Sequence, residues 1–144
     1  MERRKINMRV MGIDYGDART GVAVSDLLCS IVGTTFVIHS RSAEKTISEI
    51  QRIVAESGVT EIVVGLPKNM DGTEGARAEL CREFAKRVED ATGLPVALWD
   101  ERRTTVEAHN ILSEHNYHGK KRKNSVDAVA ASLILEAYLA FRSK

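Results

Sequence analysis

The sequence predicts an α/β fold: a mixed sheet of about five strands, opened by an antiparallel hairpin and covered by helices on both faces. Two strand-like segments near the start, Arg9 to Tyr15 and Thr20 to Ser25, are separated only by Gly16-Asp17-Ala18-Arg19, a connection short enough to demand a hairpin. After them, strand-like and helix-like segments alternate as in β-α units, whose connections are expected to be right-handed crossovers. The last helical segment is apolar nearly all round, so it requires burial between the sheet on one side and other helices on the other.

Taken in order, Val10, Met11 and Ile13 give the first strand its apolar character, and Thr34 to Ile38 reads as a third strand. Ser42 to Ser57 repeats Ile47, Ile50, Ile53 and Val54 at helical spacing, and Gly58 supplies a stop. Glu61 to Leu66 carries the run Ile62-Val63-Val64, typical of a strand covered on both faces. The loop Pro67 to Gly72 leads to a helix over Thr73 to Thr92. There Asp71 and Glu74 have capping-box spacing, and Leu80, Cys81, Phe84, Ala85 and Val88 form the buried stripe. Gly93 ends that helix and Pro95 opens the strand Val96 to Asp100. Thr104 and Glu107 repeat the capping-box spacing at the start of a helix to about Glu114. Asn116 to Lys123 reads as a polar, basic loop, and Ser125 to Phe141 as the final helix with Asn124 as its N-cap.

The chain has 144 residues, 43% of them hydrophobic and 28% charged, which suits one globular domain over residues 9–144 behind an N-terminal extension of residues 1–8. A domain of this size buries roughly two thirds of its unfolded surface and needs no disulfide staples. Cys29 and Cys81 lie far apart, and Cys81, on an apolar helical stripe, reads as a small buried thiol. No segment resembles a signal peptide or spans a bilayer, so a cytoplasmic protein without a membrane partner is expected. With 21 basic and 20 acidic side chains the net charge is +1, and bulk charge gives no argument for nucleic-acid binding. The basic residues are nevertheless clustered, in Lys120-Lys121-Arg122-Lys123 and in the tail Arg3-Arg4-Lys5.

Acids occur where the pattern is otherwise apolar. Asp14 ends the first strand, Asp100 and Glu101 end the strand that begins at Val96, and Asp127 falls in the first turn of the final helix. Carboxylates are rarely buried unless paired or bound to a cation. Strand ends pointing the same way in a mixed sheet lie close together, so one acid cluster can form from distant positions. Such a cluster repels itself unless a divalent cation sits within it, and hard oxygen ligands suit Mg²⁺ or Mn²⁺. Paired ions of that kind perform phosphodiester hydrolysis. Each acid also has a structural explanation: Asp14 as a turn residue, Asp127 as a partner of the helix dipole. Asp100 and Glu101 point to opposite faces, so one of them at most joins the cluster; Glu101, nearer the loop, is the choice, and Asp100 is left to a structural contact.

Four blocks of sequence together resemble the YqgF/RuvX family. Gly12-Ile13-Asp14-Tyr15-Gly16 with Arg19-Thr20-Gly21-Val22-Ala23-Val24-Ser25 is similar to its opening hairpin, and Val64 to Glu74 to its central loop. Asp100-Glu101-Arg102 with Thr104 to Ala108 resembles a third block, and the Asp127 helix a fourth. The resemblance runs from Arg9 onward and implies an RNase H-like nuclease fold, with Asp14, Glu101 and Asp127 as acidic ligands of Mg²⁺ or Mn²⁺. It further implies a metal-dependent endonuclease that processes the 5′ end of precursor 16S ribosomal RNA. The alternatives are a Holliday-junction resolvase acting on branched DNA as a dimer and a catalytically silent nucleic-acid-binding module. An actin-like or sugar-kinase-like phosphotransferase shares the opening hairpin but needs two lobes, and this chain is long enough for one. The expected partner is nucleic acid, with precursor rRNA ahead of branched DNA, bound by a monomer or a homodimer.

Substrate contacts are expected from Asn69 and Thr73, in a loop before a helix N-terminus. Arg102, with Arg103, flanks Glu101, and Lys120, Lys121, Arg122 and Lys123 precede Asp127. Reachable aromatic rings are few (Trp99, Tyr117 and Tyr15), which favours recognition of shape and backbone over single bases. His109, His115 and His118 lack an accompanying cysteine and read as polar surface positions rather than a zinc site.

Overall fold

The computed structural model describes residues 8–27, 29, 31–101 and 119–142. Five strands form one sheet: β1 (Val10–Asp14), β2 (Arg19–Ser25), β3 (Val32–His39), β4 (Glu61–Leu66) and β5 (Val96–Asp100), in the order β3-β2-β1-β4-β5. β1 and β2 pair antiparallel, with Asp14 opposite Gly21, and β2 and β3 do likewise, with Arg19 opposite His39. β4 joins β1 in parallel and β5 joins β4 in parallel. The expected hairpin-first mixed sheet is therefore present. The third strand extends to both sides of Thr34 to Ile38. Main-chain pairing with β2 continues beyond the apolar run and carries exposed residues such as Gly33, Thr34 and Thr35 with it.

Strand alternation sorts the side chains into two layers. Met11, Ile13, Val22, Ile62 and Val64 pack against helix α1 (Ala43–Ser57) and helix α2 (Ala76–Thr92) through Ile47, Ile50, Phe84 and Val88. Val10, Ala23 and Val63 face the other way, against Ala131, Ile134, Leu135 and Leu139 of helix α3 (Gly119–Arg142). Residues of the first face carry Cys81 and Leu66 into a small adjoining cluster, so the thiol is buried as expected, and both cysteines are free. Burial pushes the Cys81 thiol up to about 11. No described helix is long and apolar enough to cross a membrane.

Helix ends account for the departures from expectation. α1 is capped by Ser42, whose Oγ accepts from the Lys45 amide at 3.2 Å, and it stops at Gly58 in the left-handed conformation. α2 starts at Ala76 rather than Thr73, with Gly75 as its N-cap and no side-chain cap. Asp71 is already committed: its Oδ1 accepts from the Thr73 amide (3.0 Å) and the Thr73 hydroxyl (2.6 Å). Glu74 reaches forward to Arg82 at 2.7 Å, so the capping box is not made. α3 starts at Gly119, five residues ahead of Asn124. Lys120 to Lys123 are consequently helical and not a loop, Asn124 is no cap, and Asp127 lies roughly two turns inside the helix. The expected helix Thr104 to Glu114 lies outside the described residues, as do Asn116 to His118 of the basic segment.

α3 lies directly on the hairpin. A Cβ on Gly21 would stand 2.1 Å from the carbonyl oxygen of Asp127, a backbone atom that cannot turn aside. Gly21→Ala is therefore expected to push α3 off β2 and to cost about 1–3 kcal/mol of stability, read as a lower urea midpoint. An unchanged midpoint would show that the helix does not depend on this approach.

Candidate active site

Parallel pairing of β1, β4 and β5 brings their C-terminal ends to one edge of the sheet. Asp14 occupies that end of β1, on the α3 face by its alternation with Gly12 and Val10. Glu101 follows β5, where its amide donates to the Leu66 carbonyl at 3.2 Å and the residue is 9% exposed. It alternates with Trp99 and Ala97 on the same α3 face, as expected, leaving Asp100 opposite. The carboxylate lies over Gly65 of β4: a Cβ there would be 2.3 Å from Glu101 Oε2 and 2.6 Å from Ile134 Cδ1. Absence of a side chain at Gly65 is what opens the space for this acid.

The side chains of Asp14 and Glu101 lie close enough for each carboxyl to act on the other. Burial raises the Asp14 pKa well above the ordinary carboxylate range, and the charges of Glu101 and Asp127 and the Glu101 hydrogen bond raise it further. The Arg77 guanidinium opposes these effects. Asp127, half-buried, is also raised by burial, against the pull of Arg19 and the charge of His39. Its Oδ2 accepts from Arg19 Nε at 2.8 Å. The structure thus brings Asp14 and Glu101 together and sets Asp127 beside them on an arginine. Among the described residues, no three His, Cys, Asp or Glu side chains are arranged to hold one metal ion.

Two arginines that the sequence reading did not single out organise this edge. Arg77, in the first turn of α2, donates to the Tyr15 carbonyl and, at 2.8 Å, to Asp17 Oδ1. Its guanidinium lies 5.3 Å from the centroid of the Tyr15 ring, which stacks on Phe84 at 3.8 Å. Arg77 therefore clamps the turn immediately after Asp14. Arg19 does the same service for Asp127. Neither was legible, because an arginine in a helix or strand start has no pattern of its own. Gly21 and Gly65 did leave a signal: glycine inside a strand marks the close approach of another group.

The remaining predicted contacts are placed as follows. Asn69 Nδ2 donates to Thr73 Oγ1 at 2.9 Å, so both residues brace the loop after β4, together with the Asn69 amide on the Thr73 carbonyl. Trp99 packs edge-on against Tyr138 and Phe141, and Tyr15 against Phe84, so both rings are committed to the protein. Arg102, Arg103, Tyr117 and the three histidines His109, His115 and His118 lie outside the described residues. Lys120, Lys121, Arg122 and Lys123 fall in the opening of α3. A groove of about 800 Å³, lined by His39, Arg41 and Lys45 among others, lies between β3 and α1.

The raised Asp14 pKa has a signed consequence. A carboxyl whose folded value exceeds its unfolded one destabilises the fold once it must ionise, fully above the folded value and not at all below the unfolded one. Asp14→Asn is expected to raise the unfolding free energy in metal-free buffer at neutral pH. That advantage shrinks as pH falls through the raised Asp14 value toward the ordinary carboxylate range. Urea titrations across this window check it; an advantage that grows in acid would contradict it.

The RuvX family, described as Holliday junction resolvase, matches residues 8–141. A relative from Halothermothrix orenii, named "Putative pre-16S rRNA nuclease", is 45% identical over 95% of this chain and 98% of its own. One of the same name from Lachnospira eligens is 46% identical over 95% of this chain and 100% of its own. Among solved structures, RuvC of T. thermophilus in complex with a Holliday junction substrate matches with a TM-score of 0.61 at 15% identity, over 95% of this chain and 97% of its own. The Fowlpox virus resolvase bound to Holliday junction DNA matches with a TM-score of 0.57 at 10% identity, over 95% and 100%. At such identities the likeness concerns the fold, which is RNase H-like as expected. The chain belongs to the RuvX family.

Proposed function

We propose that this protein is a metal-dependent endonuclease that hydrolyses phosphodiester bonds, acting in the cytoplasm on the 5′ end of precursor 16S ribosomal RNA. The observation that carries the reading is the pairing of half-buried Asp14 with buried Glu101. Two carboxyls held in contact at a sheet edge cost free energy as a structural device, and a divalent cation between them turns that cost into binding. The donor set is all oxygen, which fits Mg²⁺ or Mn²⁺, with Asp14, Glu101 and Asp127 as the holding residues. When bound, such ions supply an activated water and neutralise charge on the leaving oxygen.

The chain's own residues supply the positioning. Arg77 fixes the turn beside Asp14, and Gly65 leaves the space that Glu101 fills. Arg102, Asn69, Thr73 and the basic residues Lys120, Lys121, Arg122 and Lys123 are the candidate contacts to substrate. The preference for ribosomal RNA rests on the names of relatives that match over nearly their whole length. The family description favours a second reading, resolution of four-way DNA junctions, which requires two active sites across a homodimer.

A cleavage panel tests both readings: precursor 16S RNA, single-stranded RNA and four-way DNA junctions, each with Mg²⁺, Mn²⁺ or EDTA. Cleavage of the precursor RNA is expected with either metal and none in EDTA. Asp14→Asn and Glu101→Gln are each expected to lower the rate by at least about 100-fold, the upper end of what loss of a supporting group costs a metal site. Full activity of Asp14→Asn would overturn the proposal. Symmetric cleavage of junctions by a dimer, with the RNA intact, would establish the resolvase. Binding without cleavage at any metal concentration would identify a silent binding module.

A further inference from the structure

Asp127 is the acid that stands apart, and the fold shows both why and how it could join. Its backbone is fixed, because its carbonyl oxygen rests where a Cβ of Gly21 would be. Gly21 is the register partner of Asp14, so the Asp127 backbone lies over the strand position beside Asp14. Only the side-chain torsions of Asp127 remain free to choose a direction, among a few staggered wells. In the direction it takes, the carboxylate meets Arg19 Nε at 2.8 Å, with side chains 33% and 17% exposed. Arg19 sits two residues before Gly21 on the same face of β2, one step further from Asp14, and His39 is its register partner on β3.

We infer that Arg19 is the exchangeable counter-ion of Asp127: it holds this carboxylate away from Asp14 and Glu101 until a divalent cation bound by those two displaces it. This rests on the metal-site reading above. The logic is electrostatic. A third carboxylate turned toward the Asp14–Glu101 pair adds repulsion unless a cation is present, and the guanidinium takes the charge in the meantime. A rotation about side-chain bonds then completes the ligand set with no backbone movement. Arg19 is thus a positioning residue, and it sets how tightly the site takes its metal.

The prediction concerns metal affinity, not activity. Mn²⁺ binding to the full chain, followed by the electron paramagnetic resonance of free Mn²⁺, is expected to be about fivefold tighter in Arg19→Gln than in the unaltered protein. Arg19→Lys, which keeps the charge, should bind as the unaltered protein does. Loss of any nearby positive charge would favour a cation, so two controls separate pairing from the general field. Arg41→Gln, at the same end of the sheet, should leave affinity unchanged. In an Asp127→Asn background, Arg19→Gln should add little, since its partner is gone. Equal gains with and without Asp127, or no gain at all, would overturn the inference while leaving the metal site standing. Absence of Mn²⁺ binding in the unaltered protein would overturn the metal-site reading itself and the inference with it. A measurement without substitution guards against a variant that fails to fold: the Arg19 Nε–H resonance of ¹⁵N-labelled protein should shift on Mg²⁺ titration. A resonance indifferent to saturating Mg²⁺ would also refute the exchange.

Discussion

Asp14 ends the central strand of the sheet half-buried, with its carboxyl beside that of buried Glu101, and much of the surrounding structure is arranged around the cost of that approach. Burial does most to raise the Asp14 pKa, and the charge of Glu101 comes next. The fold answers it locally. Arg77 stands within electrostatic reach of Asp14, and Arg19 takes the charge of the third acid, Asp127. Without these partners, each buried carboxylate would be an uncompensated charge worth several kcal/mol against the folded state.

Two layers make that placement possible. α1 and α2 cover one face of the sheet with a continuous aliphatic core, while α3 covers the other and brings Asp127 to the hairpin. The approach is close because the strands carry glycine where the helix and the Glu101 carboxylate come down on them. Glycine weakens a strand, and its retention at Gly21 and Gly65 is explained by what occupies the space instead. The site is therefore carried on rigid elements: the end of the central strand, the residue after the edge strand β5, and the interior of a helix packed on the hairpin. Such support suits chemistry that depends on fixed oxygen positions.

The length of α3 changes the meaning of Asp127. Near a helix start, an acid is explained by the dipole and by capping, with no ligand needed. Two turns inside the helix, half-buried and opposite a strand arginine, it has no such explanation from helix chemistry. Similarly, the loop after β4 ends short of the α2 N-terminus, which carries no side-chain cap. Asp71, Thr73 and Asn69 spend their hydrogen-bonding groups on one another, giving a braced loop at the rim of the site.

Sequence alone determined the hairpin, the alternation of strands and helices, and the opposite facing of Asp100 and Glu101, because these follow from period, turn length and parity along a single strand. It also singled out the three acids, since a carboxylate in an apolar run is anomalous wherever it falls. Tertiary structure decided what periodicity does not encode: where α2 and α3 begin, which depends on competing side-chain partners, and which acids touch, which depends on strand order. It decided the roles of Arg19 and Arg77 as well. Their partners lie 108 and about 60 residues away in the chain, and only packing across the sheet brings a charge from so far to the carboxylate or turn that it holds.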